Sequence, residues 1–168
     1  MTSRVEPTKQ RLNEIFEYKN GMLFWKKKSS SKSHVNIGER AGFFTNDGYR
    51  AVRVDMKIYK EHRLIWIMHN GEIPNGYEID HQFGDRLDNR IEILRCGTPS
   101  NNQHNRNKNK NNTSGYKGVY FHTKTGKPIA RIQSNGVFKY IGTYNTPEEA
   151  FDAYKKEAIK LHGEFAKF

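Results

Sequence analysis

At 168 residues the chain has room for one ordinary domain or a few small modules. A formal net charge of +11 favours a polyanionic partner, and a lone cysteine, Cys96, excludes an intrachain disulfide and a cysteine-built zinc site. No apolar run approaches the length needed to span a bilayer, and the polar first residues lack a signal-peptide core, so a reducing, cytoplasmic setting is expected.

The first segment runs over 1–72. Met22-Leu23-Phe24-Trp25 has strand character, and Lys26 to Asn36 is a Lys/Ser-rich loop. Tyr49 to Asp55 alternates and reads as a strand after the Asn46-Asp47-Gly48 turn. Glu61 to His69 predicts a helix with Leu64, Ile65 and Met68 on its apolar face and Gly71 as its stop.

The second segment covers 73–109. Tyr77 to His81 reads as a strand, Gly84 to Asn89 as a polar loop, and Arg90 to Arg95 as a returning strand. Thr98-Pro99 then predicts a helix start, with Asn102, Asn105 and Asn109 on neighbouring turns. The module is therefore strand, loop, strand, helix. Residues 110–114 continue an Asn/Lys-rich stretch without apolar anchors, expected to be a linker.

The third segment covers 115–168. Three short strands are predicted over Tyr116–His122, Ile129–Ser134 and Val137–Gly142, with Asn135-Gly136 as the hairpin turn between the last two. Thr146-Pro147-Glu148-Glu149 is a capping box, opening a helix whose apolar stripe is Ala150, Phe151, Ala153, Tyr154, Ala158 and Leu161 and whose end is Gly163. Val119, Phe121, Ala130 and Ile132 are expected to face that helix, leaving Tyr120, His122, Ile129, Arg131 and Gln133 outward. The fold class expected is α+β: N-terminal strands and a helix supporting the central module, then a three-stranded antiparallel sheet packed on one helix.

The chemistry concentrates between Ile79 and Asn105. Hydrolysing a phosphodiester requires an activated water and stabilisation of charge on the phosphoryl group and the departing oxygen. One Mg²⁺ (or Mn²⁺) meets the second need with as few as two protein ligands, because it prefers oxygen at roughly 2.0–2.1 Å and retains waters. Asp80 and Asn102 offer such oxygens, and His81, whose ordinary titration range lies near neutrality, suits a general base. Asp80 and His81 flank one phosphate only if the strand bends beyond them, which Gly84 permits. Between Glu92 and Glu148 no acidic residue occurs, while Arg95, Arg106, Lys108, Lys110, Lys117, Lys124, Lys127, Arg131 and Lys139 do. That one-signed stretch fits nucleic-acid contact, with a solvated basic loop as the alternative. Arg86 and Arg90 are candidate phosphate clamps, again with solvation as the alternative.

Asp80-His81, Gly84-Asp85, Asp88-Asn89-Arg90 and Asn101-Asn102 resemble the HNH endonucleases, which use a ββα-metal module, and phage-type homing nucleases among them. The resemblance implies Asp80 and Asn102 as metal ligands and His81 as general base. It also implies a structural role for His62. The family usually carries Asn where this chain has Ile93, and that amide braces the loop aiming the His. An alkyl group forms no hydrogen bond, so weakened catalysis is expected unless Asn89 substitutes.

The third segment resembles the plant APETALA and ethylene-response-factor DNA-binding domain through Tyr116-Lys117-Gly118-Val119, Ala130-Arg131-Ile132, Ile141-Gly142-Thr143-Tyr144, Glu148-Glu149-Ala150 and Leu161-His162-Gly163-Glu164. It departs at Tyr120, His122, Gln133 and Tyr140. This resemblance implies an outward sheet face in the major groove of double-stranded DNA, where Arg and Gln read base edges. Lys117 and Lys124 would hold phosphates, as would Lys108, Lys110 and Arg106 of the preceding stretch. The expected activity is nicking or double-strand cutting of DNA by a monomer or homodimer without a protein partner or membrane, in a phage or mobile-element setting inside a bacterial host cell. A DNA-binding regulator with a decayed nuclease site and an RNA-binding module are the alternatives.

Overall fold

The computed structural model describes residues 6–28, 34–99, 112–134, 136–166 and 168. They fall into two compact units, Met1–Gly97 and Thr98–Phe168.

The first unit opens with helix α1 (Lys9–Ile15), whose N-cap Thr8 accepts a hydrogen bond from the Arg11 amide at 3.2 Å. Strands β1 (Phe16–Lys19) and β2 (Met22–Trp25) form an antiparallel hairpin. Its two-residue turn, Asn20-Gly21, has φ values of 45° and 80°, the left-handed pair that a tight hairpin requires. Strands β3 (Phe43–Phe44), β4 (Arg50–Val54) and β5 (Lys57–Lys60) form a second antiparallel sheet in the order β3-β4-β5. The β4–β5 turn, Asp55-Met56, also has positive φ, and Arg11 holds it by donating to both Asp55 carboxylate oxygens at 3.2 and 2.8 Å.

Helix α2 (Glu61–Asn70) follows directly and ends at Gly71, whose amide donates to the Ile67 carbonyl. Strand β6 (Glu78–His81) pairs antiparallel with β7 (Leu94–Gly97). The returning strand expected over Arg90–Arg95 starts later, because Ile91–Ile93 form a 3-10 turn closed by the Ile93 amide on the Arg90 carbonyl. One apolar core joins Leu12, Ile15, Phe16, Leu23, Val52, Leu64, Ile65, Ile79 and Leu94, so β6 and β7 share it with α1, α2 and both N-terminal sheets.

In the second unit β8 (Val119–Phe121), β9 (Pro128–Ser134) and β10 (Val137–Thr143) form an antiparallel sheet with β9 central. Helix α3 (Pro147–His162) packs against it. Val119, Ala130 and Ile132 meet Ala150, Tyr154 and Ala158 in a separate small core. At Gly118, φ 76°, an added Cβ would lie 2.1 Å from the Tyr154 ring, so only glycine lets the strand approach the helix this closely. The Thr146 hydroxyl accepts from the Glu149 amide at 3.2 Å, while the Glu149 carboxylate accepts from Asn145 one residue before the cap. Phe121 does not face the helix as expected; it closes a strand of three residues and is 43% exposed. Leu161, expected on the apolar stripe, is likewise exposed. Among the described residues no helix is long and apolar enough to cross a membrane.

Candidate active site

The β6–β7 ladder sets two neighbouring side chains on opposite faces. Asp80 lies across from Arg95, and His81 across from Leu94. Arg95 donates to the Asp80 carboxylate at 2.8 Å. Arg95, read from sequence as a DNA contact, is therefore buried beside the carboxylate and not displayed on the surface. The chain turns at once after His81: the Gly84 amide donates to the His81 carbonyl, and Gly84 has φ 78°.

His81 is buried, 3% exposed, under α2. Its Nε2 lies 2.8 Å from Asn89 Oδ1. Asn89 is buried too, and its amide nitrogen donates to Glu61 Oε2 at 3.0 Å. The other Glu61 oxygen accepts from the Leu23 amide at 3.2 Å, and Arg50 Nε stands 3.5 Å from Oε2. Burial raises the Glu61 carboxyl above its ordinary value and lowers the Arg50 guanidinium below its own, while their mutual attraction opposes both shifts. Two N–H groups and a guanidinium converge on this carboxylate, which favours its ionised form.

Hydrogen-bond logic then fixes the imidazole. A carboxylate only accepts, so Asn89 turns its NH₂ toward Glu61 and its oxygen toward His81. Nε2 therefore carries the proton, and the basic lone pair belongs to Nδ1. His62 packs edge-on to His81 with ring centroids 4.8 Å apart, and Tyr49 lies 5.2 Å from His62 and 6.1 Å from His81. Burial pushes His62 well below its ordinary range, and His81, Lys60 and Arg63 act in the same direction, so His62 is neutral. Lys60 Nζ sits 3.5 Å over the Tyr49 ring and donates to Asp47, which is pushed down to about 2 by that bond.

Ile93 is buried and contributes its carbonyl, which accepts from the Gln82 amide at 2.9 Å. The loop residue Asn89 accepts a hydrogen bond from the ring of His81 through Oδ1. Arg86 is exposed; it donates to the Asp47 carbonyl at 2.7 Å and stacks 5.0 Å from the Tyr49 ring that borders His81. Arg90 is held by a two-pronged pair with Asp88 at 2.8 and 2.6 Å. Asn102, Arg106, Lys108 and Lys110 lie outside the described residues, as does the helix expected after Pro99.

For a metal, Asp80 offers a hard oxygen beside His81, with its side chain partly exposed, although Arg95 already pairs with one carboxylate oxygen at 2.8 Å. Among the described residues no group of three or more His, Cys, Asp or Glu converges as a metal site, at Asp80 or elsewhere. The donor chemistry at Asp80 fits an ion that takes few protein ligands.

A family model described as "HNH endonuclease" matches residues 59–104, which take in the end of β5, α2 and the β6–β7 ladder. Protein 3.8 of Escherichia phage T7 is 31% identical over 112 residues, covering 67% of this chain and 92% of that protein. The chain belongs to the HNH endonuclease family. The uncharacterized HNH endonuclease L560 of Acanthamoeba polyphaga mimivirus is also similar, 31% identical over 125 residues, 74% of this chain and 64% of that protein. The solved structure described as "DNA binding and cleavage by the HNH homing endonuclease I-HmuI" superposes with a TM-score of 0.40 at 20% identity, over 85% of this chain and 82% of that one.

The region matched to the HNH family holds Asp80, His81 and Asn89, which the sequence pointed to, together with Glu61, which it did not. Glu61 stands in the first turn of α2, where an acidic residue ordinarily faces solvent and complements the helix dipole, so nothing in the sequence marks it as buried. Arg50, at the start of an alternating strand, was equally silent.

The outward face of the second unit carries Tyr120, Ile129, Arg131, Gln133, Phe138 and Tyr140 by register. Arg131 stacks 4.0 Å from the Tyr120 ring and 5.2 Å from Phe138. Phe138 was missed because its strand reads as amphipathic either way. His122 lies beyond β8 in a turn, where its Nδ1 accepts from the Thr125 amide at 3.3 Å. Lys124 is exposed and Lys117 half-buried.

Proposed function

We propose that the chain is a DNA endonuclease that hydrolyses a phosphodiester with His81 as general base and one divalent ion held by Asp80 and Asn102. The observation that carries this reading is the fixed imidazole: His81 follows the Asp80 carboxylate on one strand and is braced through Nε2 by Asn89 at 2.8 Å. Mg²⁺ (or Mn²⁺), when bound, supplies stabilisation of negative charge on the scissile phosphate and the leaving oxygen. His81 takes the proton of the attacking water at Nδ1. The water oxygen bonds to phosphorus as the bond from phosphorus to the leaving sugar oxygen breaks. Arg86 and Arg90 bind flanking phosphates as exposed cations, and Asn89 keeps the ring in one orientation. Arg95 donates to Asp80 and keeps it turned to its own face of the ladder.

The second unit, read as an APETALA/ethylene-response-factor-like domain, holds duplex DNA against its outward sheet face. Arg131 and Gln133 read base edges there, Tyr120 and Tyr140 flank them, and Lys117 and Lys124 bind phosphates. One module makes one cut, so a monomer nicks, and a double-strand break requires a pair of molecules or two events. A phage or mobile-element origin agrees with the similarity to Protein 3.8.

Plasmid nicking with Mg²⁺, with excess EDTA, and with His81→Ala tests the reading. Loss of a general base should lower the rate about 10²–10⁴-fold, and chelation should abolish nicking. Equal nicking by His81→Ala would sink the proposal.

A further inference from the structure

We infer that Glu61 is a positioning residue that acts through Asn89 to set which nitrogen of His81 carries the proton, an inference that rests on the nuclease reading of His81. Glu61 is wholly buried at 0% exposure, although it belongs to the first turn of a helix. A carboxylate is expensive to bury and persists only where donors and positive charge surround it. Here the Leu23 amide occupies Oε1, the Asn89 NH₂ occupies Oε2, and Arg50 Nε lies 3.5 Å away. Arg50 is itself buried and anchored by donating to the Ala41 and Gly42 carbonyls at 2.9 and 3.0 Å. The carboxylate is thus fixed from β2 and β4, and its only remaining freedom is to dictate the orientation of one amide.

That amide has two ways to sit, and Glu61 permits one. With its NH₂ toward the carboxylate, Asn89 presents an oxygen to His81 Nε2. Flipped, it would set oxygen against carboxylate and NH₂ against Nε2, forfeiting the bond to Glu61. The imidazole follows the amide: an oxygen calls for Nε2–H, an NH₂ calls for Nδ1–H. A charge two hydrogen bonds away therefore places the basic lone pair on Nδ1. A purely structural Glu61, tying β2 to β4, would affect stability and leave the ring's proton where it is.

The test is ring ¹⁵N NMR of the full chain at a pH of about 8, above the ordinary imidazole range, together with nicking and thermal melting. Wild type should show His81 as the Nε2–H tautomer. Glu61→Gln cannot accept from both Leu23 and Asn89 on separate oxygens. It should move His81 toward Nδ1–H and lower nicking about 10²–10⁴-fold. The double variant Glu61→Gln with Asn89→Asp restores the pattern, since the new amide donates to the new carboxylate and that carboxylate accepts from Nε2–H. It should return the Nε2–H tautomer and bring nicking to within about tenfold of wild type. A His81 that stays Nε2–H in Glu61→Gln overturns the inference, as does a folded double variant whose tautomer and nicking match the single one. Should Glu61→Gln fail to fold, Glu61→Ala, which leaves nothing at position 61 to accept from Asn89, is read in its place: a His81 that stays wholly Nε2–H there overturns the inference. Failure of the nuclease reading is seen separately, as undiminished nicking by His81→Ala, and leaves the tautomer result standing.

Discussion

Replacing Gly21 by alanine tests whether the β1–β2 turn sets the position of Asn89. Gly21 has φ +80°, and a Cβ there would lie 2.8 Å from the Arg90 nitrogen, 3.0 Å from the Asn89 carbonyl carbon and 3.3 Å from Arg90 Cγ. The two closest atoms are backbone, so the loop carrying Asn89 must move as a whole. Gly76 is a matched control: its φ is also +80°, and nothing lies within 4 Å of the added carbon. Each substitution forces an L-residue into the left-handed region at about 1–2 kcal/mol. Gly21→Ala alone adds an overpacking cost of about 1–3 kcal/mol. Urea unfolding of the full chain should therefore show Gly21→Ala less stable than Gly76→Ala by about 1–3 kcal/mol, or roughly 4 °C or more in melting temperature for a unit of this size. Because Asn89 braces His81, only Gly21→Ala should also slow nicking, by about tenfold or more, on the scale that a 1 Å misplacement costs. Equal stability of the two variants would refute the close approach, and unchanged nicking in a destabilised Gly21→Ala would refute its link to His81.

Other outcomes follow from single contacts. His62 is held neutral in the folded chain, so below a pH of about 6.5 the unfolded chain binds a proton that the native state refuses, and stability falls with pH by up to about 1.4 kcal/mol per unit. Urea midpoints between pH ~7 and ~5.5 should show this slope and a shallower one in His62→Gln; identical slopes would contradict a buried neutral ring. Thr146→Ala removes the acceptor for the Glu149 amide and should cost about 1 kcal/mol, read as a melting shift of the second unit. Arg131→Ala should weaken duplex binding about tenfold or more; an unchanged affinity would remove the sheet face from the DNA-binding reading.

Much of the fold was legible because its signals are local. Gly136, Thr146-Pro147 and Gly71 punctuate the chain where turns and caps demand those residues, and the β6 strand with its polar loop followed from alternation broken by Gly84. Ile91 and Ile93 misled because their every-other-residue spacing reads as strand, while a short 3-10 turn of three residues leaves no periodic trace of its own. The Asp80-His81 pair was legible as chemistry, but the company it keeps was not. Glu61 reaches Asn89 and Leu23 across separations of 28 and 38 residues, and Arg95 meets Asp80 through strand register. Long-range pairing of that kind has no periodic trace in a single sequence.

The arginine wedged beside Tyr120 and Phe138 arrives at any partner already ordered. A free arginine surrenders about 2 kcal/mol of rotamer entropy when it is pinned by a ligand. Here the flanking rings have restricted it beforehand, so less of each contact's strength is lost to immobilisation. The sheet thereby presents a preordered cation on its outward face.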